Sequence, residues 1–146
     1  MSEMDSPGTS ILRTGGADDI EAVLALWRQA EATPTVTDSA VDLHRLLARD
    51  PEALLVAEVE DAVVGSLILG WDGWRGTFYR LAVDPAWRRR GLATTLIRAG
   101  EGRLRALGAR RLNAIVDSDE AGAMAFWAAA GYELQTERSR FVKNLP

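Results

Sequence analysis

Apolar residues recur at helical spacing over Ile20, Val23, Leu24, Trp27 and Ala30, which predicts a first helix from about Ala17 to Glu31. Asp18 and Asp19 stand at its positive end. Ile11 to Arg13 reads as a short strand before it. Pro34 interrupts the pattern, and a second helix over about Val41 to Arg49 stops at Asp50-Pro51, because the residue before a proline disfavours helical backbone. The period then changes. Ala53 to Val59 and Ala62 to Leu69 are strand-like runs joined by a turn at Glu60-Asp61. Asp72-Gly73, between Trp71 and Trp74, is a hairpin signal, and Thr77 to Val83 is the next strand. A helix follows from about Gly91 to Leu107, with Gly108 just past its end. Arg111 to Val116 reads as a strand and Glu120 to Ala130 as a helix ended by Gly131. The tail from Tyr132 to Leu145 is expected to hold one or two more strands, for about six or seven in all.

The strand–helix–strand segment over 77–116 predicts two parallel neighbours with a right-handed crossover. The hairpins before it predict antiparallel pairs. The expected fold is α/β (α+β): a mixed sheet with helices on both faces, in one domain over 11–146. Residues 1–10 are polar and acidic, with neither a basic nor an apolar segment, and read as a disordered tail rather than a secretory signal. A chain of 146 residues, 47% hydrophobic, can bury one full core. It has no cysteine, which excludes disulfides, thiolate metal sites and a covalent cysteine mechanism. No apolar run approaches the ~20 residues of a membrane span. The expected compartment is the cytoplasm.

The net charge of −4 conceals an asymmetry. Residues 1–74 carry four basic and fourteen acidic residues, a net of −10. Residues 75–111 carry ten arginines and two acids, a net of +8, and the remainder is −2. Arg98, Arg103, Arg105, Arg110 and Arg111 read as a solvated helix face, or alternatively as a field that draws an anionic ligand to the loop at 88–93. An acidic chain with no basic patch interleaved with aromatics does not suit nucleic acid.

The chemistry-bearing stretch is Arg88-Arg89-Arg90-Gly91-Leu92-Ala93. A strand that turns through a basic, glycine-containing loop into a helix N-terminus is an anion site, because unpaired N–H groups and the helix dipole favour negative charge there. Arginine adds cations that match phosphate geometry. The loop carries neither a Walker nor a dinucleotide pattern. Leu81-Ala82-Val83-Asp84-Pro85 precedes it, and Ala128-Ala129-Ala130-Gly131-Tyr132 ends a later helix. This arrangement, from Ile11 to Leu145, resembles the GNAT family, the Gcn5-related N-acetyltransferases. Leu54-Leu55-Val56-Ala57-Glu58, Gly65, Gly70-x-Asp72-Gly73-x-Arg75-Gly76 and Leu81-x-Val83 resemble the bacterial YpeA-like branch.

The resemblance implies transfer of an acetyl group from acetyl-CoA to an amine, by direct attack in a ternary complex. It implies that Arg88, Arg89, Arg90, Gly91, Leu92, Ala93 and Thr94 hold the CoA pyrophosphate. It implies that the edge of Leu81, Ala82 and Val83 pairs with the pantetheine arm, with the N–H of Ala82 or Val83 facing the oxyanion. Two positions depart from the family. A tyrosine that commonly serves as acid toward sulfur is replaced by Trp127, whose indole cannot release a proton at useful pH. A common asparagine at the start of the same helix is replaced by Glu120. Both are carried over as cofactor-binding positions. Tyr79 is the other phenol to consider, and Asp72, Asp38, Glu58 or a water chain the candidate base. Trp27, Pro34, Asp72 and Trp74 are expected to wall the acceptor cleft, and Trp74 stands where the branch often has histidine. His44, the only histidine, reads as a surface residue, which leaves no Ser-His-Asp triad and no histidine metal site.

No metal is expected, and the acceptor is a small molecule or peptide, with a homodimer left open. The alternative is a non-catalytic acyl-CoA-binding or regulatory module of the same fold. Two further readings are a longer acyl donor and a phosphate-binding module unrelated to CoA.

Overall fold

The computed structural model describes residues 9–117 and 121–146. They fall into two compact units, one ending at Ala114 and one beginning at Ile115. The first unit holds β1 (Ile11–Thr14), a 3₁₀ turn (Ala17–Asp19), α1 (Ile20–Gln29), α2 (Ala40–Arg49), β2 (Leu54–Val59), β3 (Ala62–Trp71), β4 (Gly76–Val83), a second 3₁₀ turn (Pro85–Trp87), α3 (Leu92–Leu107) and β5 (Leu112–Ala114). The second unit holds α4 (Ala121–Ala129).

The five strands lie in sequence order in one sheet, antiparallel except for the parallel pair β4–β5. The α/β class, the mixed sheet and the parallel β4–β5 pair are as expected, and the total of six or seven strands is corrected to five among the described residues. Residues 132–146 form no strand. Leu134, Phe141, Val142 and Leu145 there are exposed. Apolar positions alone do not make a strand; its backbone also needs a neighbour to pair with.

Alternation along β3 divides the core into two layers. Leu67 and Leu69, with Phe78 of β4, face α3. A Cβ placed on Gly100 of α3 would lie 2.7 Å from Phe78 and 2.8 Å from Leu69. Only glycine lets this helix come so close to the sheet. On the other face Ile20, Val23, Leu26 and Trp27 of α1 pack with Leu54, Val56, Ile68 and Ala82. The Glu60-Asp61 turn closes tightly, with both residues at positive φ.

Two arginines tie connections to this framework. Arg103, expected on a solvated face, donates to the Glu52 carbonyl at 2.7 Å and to Asp50 at 2.9 Å. Helical periodicity could not show that this side chain meets the end of α2. Arg13 bridges Asp19 at 2.8 Å and Glu58 at 2.9 Å. The guanidinium bonds from Arg13 hold the Asp19 carboxyl below its ordinary value of 3.8, and the Gly16 N–H adds to this.

A carboxylate depressed in the folded state contributes stability above its unfolded pKa and loses it as pH falls through the folded one. Asp19→Asn should therefore unfold at lower temperature near neutrality, and its melting temperature should fall less steeply than the wild type's below about pH 4. Circular-dichroism melts across that range check this. Parallel curves would mean that Asp19 gains nothing from Arg13.

Candidate functional site at the β4 bulge and the α3 N-terminus

The register between β3 and β4 slips in the middle. Ser66 faces Ala82 and Ile68 faces Tyr79, so β4 carries one residue more than β3 across the same span. The extra residue is absorbed at Arg80, which sits at φ +52°. A left-handed non-glycine residue costs roughly 1–2 kcal/mol, and inside a strand it marks a bulge that turns the backbone.

The bulge is fastened from below. The Trp27 indole N–H donates to Ser66 Oγ at 2.9 Å, and Ser66 Oγ–H reaches the Arg80 carbonyl at 3.4 Å. Ser66 is the one buried polar side chain among the described residues. It is fastened from the side by the Arg80 guanidinium, which bonds Asp38 at 2.5 and 3.1 Å and the Thr33 carbonyl at 2.9 Å. The guanidinium also lies 5.5 Å from the centre of the Trp27 ring, within cation–π range.

Beyond the bulge, β4 has a partner on one edge only. Its pairing with β5 covers Gly76↔Leu112, Thr77↔Asn113 and Phe78↔Ala114. From Tyr79 to Val83, β3 is its only partner among the described strands. The other edge of Leu81, Ala82 and Val83 carries no strand among the described residues.

The chain then turns toward α3. Asp84 Oδ1 accepts the Ala86 N–H at 2.9 Å, which starts the 3₁₀ turn. Arg90 stacks on Trp87 at 4.8 Å. Arg89 and Gly91 both take positive φ, 66° and 80°. Gly91 is the N-cap of α3 and offers no side chain to it. The N–H groups of Leu92, Ala93 and Thr94 therefore have no intrahelical acceptor, and they point out at the positive end of a 16-residue helix. Arg88, Arg89 and Arg90 are exposed around them.

The remaining candidates are placed as follows. Tyr79 shares the α1 face with Ile68, leans over Gly70 and is 41% exposed. Trp27 is 4% exposed, so it supports the sheet from within the core rather than walling an open cleft. Pro34 is exposed in the α1–α2 connection. Asp72 caps the β3–β4 turn, accepting N–H bonds from Trp74 and Arg75 at 2.8 Å, and those bonds, led by Arg75, lower its pKa. Trp74 is 69% exposed, with Arg75 stacked on its ring. Both oxygens of Asp38 accept from Arg80, and Glu58 accepts from Arg13, so both carboxylates are held in ion pairs. His44 is exposed on α2. Trp127, in the second unit, is 8% exposed and contacts Phe126 and Tyr132 edge-on. Glu120 lies outside the described residues. No three His, Cys, Asp or Glu among the described residues could hold a metal, and no described helix is long and apolar enough to cross a membrane.

Sequence reasoning missed Arg80 and Ser66. The available signal was a charge inside the strand run Phe78–Val83 and a hydroxyl inside Val63–Leu69.

Residues 21–132 match the acetyltransferase (GNAT) family, and the chain belongs to it. It is an acyltransferase of that type. An acetyltransferase of Sodalis glossinidius is 39% identical over 118 residues, covering 81% of this chain and 83% of that protein. Among solved structures, Ard1 from Thermoplasma volcanium has a TM-score of 0.78 at 21% identity, over 87% of this chain and 84% of that one. The PaiA N-acetyltransferase from Thermoplasma acidophilum, in complex with coenzyme A, has a TM-score of 0.76 at 14% identity, over 87% and 91%.

Ser66→Ala would leave the buried Trp27 N–H without its acceptor, which should lower stability by about 1–3 kcal/mol in urea unfolding. An unchanged midpoint would mean that the hydroxyl does not hold the bulge in place.

Proposed function

We propose that the protein moves an acetyl group from acetyl-CoA to a primary amine, by direct attack in a ternary complex, with residues 11–146 acting as one catalytic domain in the cytoplasm. The observation that carries this is the pairing of an open, bulged β4 edge with an uncapped α3 N-terminus a short turn away. The donor's chemistry suits both. Its pantetheine arm has two amides, which can bond the backbone of Leu81, Ala82 and Val83 as an added strand. Its pyrophosphate matches the N–H groups of Leu92, Ala93 and Thr94, with Gly91 leaving them uncovered and Arg88, Arg89 and Arg90 supplying charge.

The donor supplies an activated acyl group with a thiol leaving group. The chain's own part is to orient and to stabilise charge. Holding both reactants in line is the largest contribution asked of it. The N–H of Ala82 or Val83, on the stretch of β4 beyond the bulge, would donate to the thioester oxygen as that oxygen gains negative charge. Tyr79, exposed midway along β4, is the phenol we assign to give a proton to sulfur. A thiol pKa near ~8.5 keeps that help modest in size. With Asp38 and Glu58 held by arginines, a chain of waters is the simplest route for the amine proton. The acidic residues of the N-terminal half, with Asp72 ionised at the hairpin, favour a cationic acceptor beside Pro34 and Trp74. The likeness to the YpeA-like branch agrees with a small amine or a peptide, and a homodimer is compatible with it.

A second reading, a non-catalytic acyl-CoA-binding module, is favoured by Trp127 standing where the family commonly has a tyrosine. Release of CoA thiol with any amine excludes it.

Calorimetry with acetyl-CoA tests the site. The wild type should bind in the micromolar range, and Arg88→Ala/Arg90→Ala should bind about tenfold or more weakly. No binding by folded wild type removes the acetyltransferase reading. Separately, Tyr79→Phe should lower turnover about tenfold or more while acetyl-CoA affinity stays the same; unchanged turnover would dismiss the phenol.

A further inference from the structure

The α1–α2 connection over 33–38 has no strand or helix partner of its own, yet it is attached to the sheet through Arg80. We infer that Arg80 is a positioning residue for the acceptor: its guanidinium fastens the 33–38 segment to the β4 bulge, so that the acceptor wall and the strand that holds the thioester keep one fixed geometry. The inference rests on the proposed function, which puts the thioester at that bulge.

The contacts are specific rather than a loose surface pair. Arg80 Nε donates to Asp38 Oδ1 at 3.1 Å and Nη2 donates to Asp38 Oδ2 at 2.5 Å, a two-pronged pairing that lysine cannot copy. Nη2 also reaches the Thr33 carbonyl at 2.9 Å and, more weakly, Thr35 Oγ1 at 3.4 Å. The Asp38 side chain in turn closes the segment on itself by accepting the Thr35 N–H at 2.9 Å. One guanidinium therefore organises both ends of this turn. The pair is mostly shielded, with side-chain exposures of 20% and 15%.

The backbone of Arg80 gives the second, independent reason. It is one of the five non-glycine residues at positive φ among those described, and it alone of them lies inside a strand. Glycine would hold that conformation without strain. An arginine that accepts the strain has a side chain whose bonds offset it, and strain of this kind collects where position matters more than stability. A simple ion pair for stability would not need the residue at which the strand turns. Here the same residue bends β4, bonds Ser66 through its carbonyl and holds the opposing segment through its side chain.

Arg80→Gly separates these roles, because it keeps the left-handed backbone and removes the fork. Asp38→Asn removes the charge from the other partner and keeps its shape. Both are compared with wild type by thermal melts, acetyl-CoA calorimetry, hydrogen exchange over 33–38 and kinetics on a primary-amine probe that the wild type acetylates. Arg80→Gly should stay folded, bind acetyl-CoA within about twofold of wild type and exchange amides over 33–38 about tenfold faster. It should raise KM for the amine far more than it lowers kcat. Arg80→Lys should restore only part of the protection, and Asp38→Asn should fall between wild type and Arg80→Gly. A wild type that binds acetyl-CoA beside an Arg80→Gly variant with unchanged exchange and unchanged amine KM overturns the inference. A wild type that binds no acetyl-CoA removes the functional reading itself, and this role with it.

Discussion

The candidate site depends on β4 being held firmly along one edge while the other carries no described strand. An unpaired strand edge is a liability in a soluble protein, because its N–H and C=O groups invite any other strand. Here the open stretch is short, running from Tyr79 to Val83, and it is twisted by a bulge. The long strand β3 supplies the rigidity, packed on one face by α3 and on the other by α1. Gly100 lets α3 lie almost on Leu69 and Phe78, and the Trp27–Ser66 bond locks the opposite layer at the height of the bulge. Without these two close contacts the bulge could slip by one residue, and a one-residue slip moves every side chain beyond it to the other face.

Arginine is used in two distinct ways around this frame. Arg13, Arg80 and Arg103 are each committed to a carboxylate and join a connection to a regular element: the 3₁₀ turn to β1, the 33–38 segment to β4, and the end of α2 to α3. Arg88, Arg89 and Arg90 stand exposed, and none forms an ion pair with a described carboxylate. The planar guanidinium serves both purposes, since it bonds carboxylates with fixed geometry and phosphates equally well. The strongly positive block at 75–111 thus divides by location rather than by residue type. Where acids from the N-terminal half come within reach, the charge is structural; at the start of α3 it stays exposed.

This division explains what was legible in the chain and what was not. Period, proline and glycine are local signals, and they place α1, α2, the hairpins and α3 to within a few residues. Gly91 and Gly108 flank α3 as a left-handed cap and stop, each within reach of sequence rules. The basic, glycine-containing turn into α3 was legible for the same reason, being a contiguous motif. Arg80 was not, because a bulge is a property of the register between two strands and of neither strand alone. Trp27 satisfied the helical period but not the expected cleft role: its place on the buried stripe already committed the ring to the core. Tyr132 to Leu145 shows the converse, where apolar positions suggested strands that do not form.

Under the proposed chemistry, most of the work falls on backbone. A thioester already carries a good leaving group, so the transfer needs alignment and a hydrogen-bond donor at the carbonyl oxygen more than it needs a strong acid. Both requirements are met by where N–H groups point, and that is fixed by the bulge at Arg80 and the glycine cap at Gly91. A side-chain exchange such as tryptophan at position 127 then removes a modest aid to proton transfer. A shift of the bulge by a single residue would remove the donor and the strand edge together. The site should therefore tolerate changes among its phenols and carboxylates better than changes to the contacts that hold β4 in register, and the buried hydroxyl of Ser66 belongs to the second group although it touches no reacting atom.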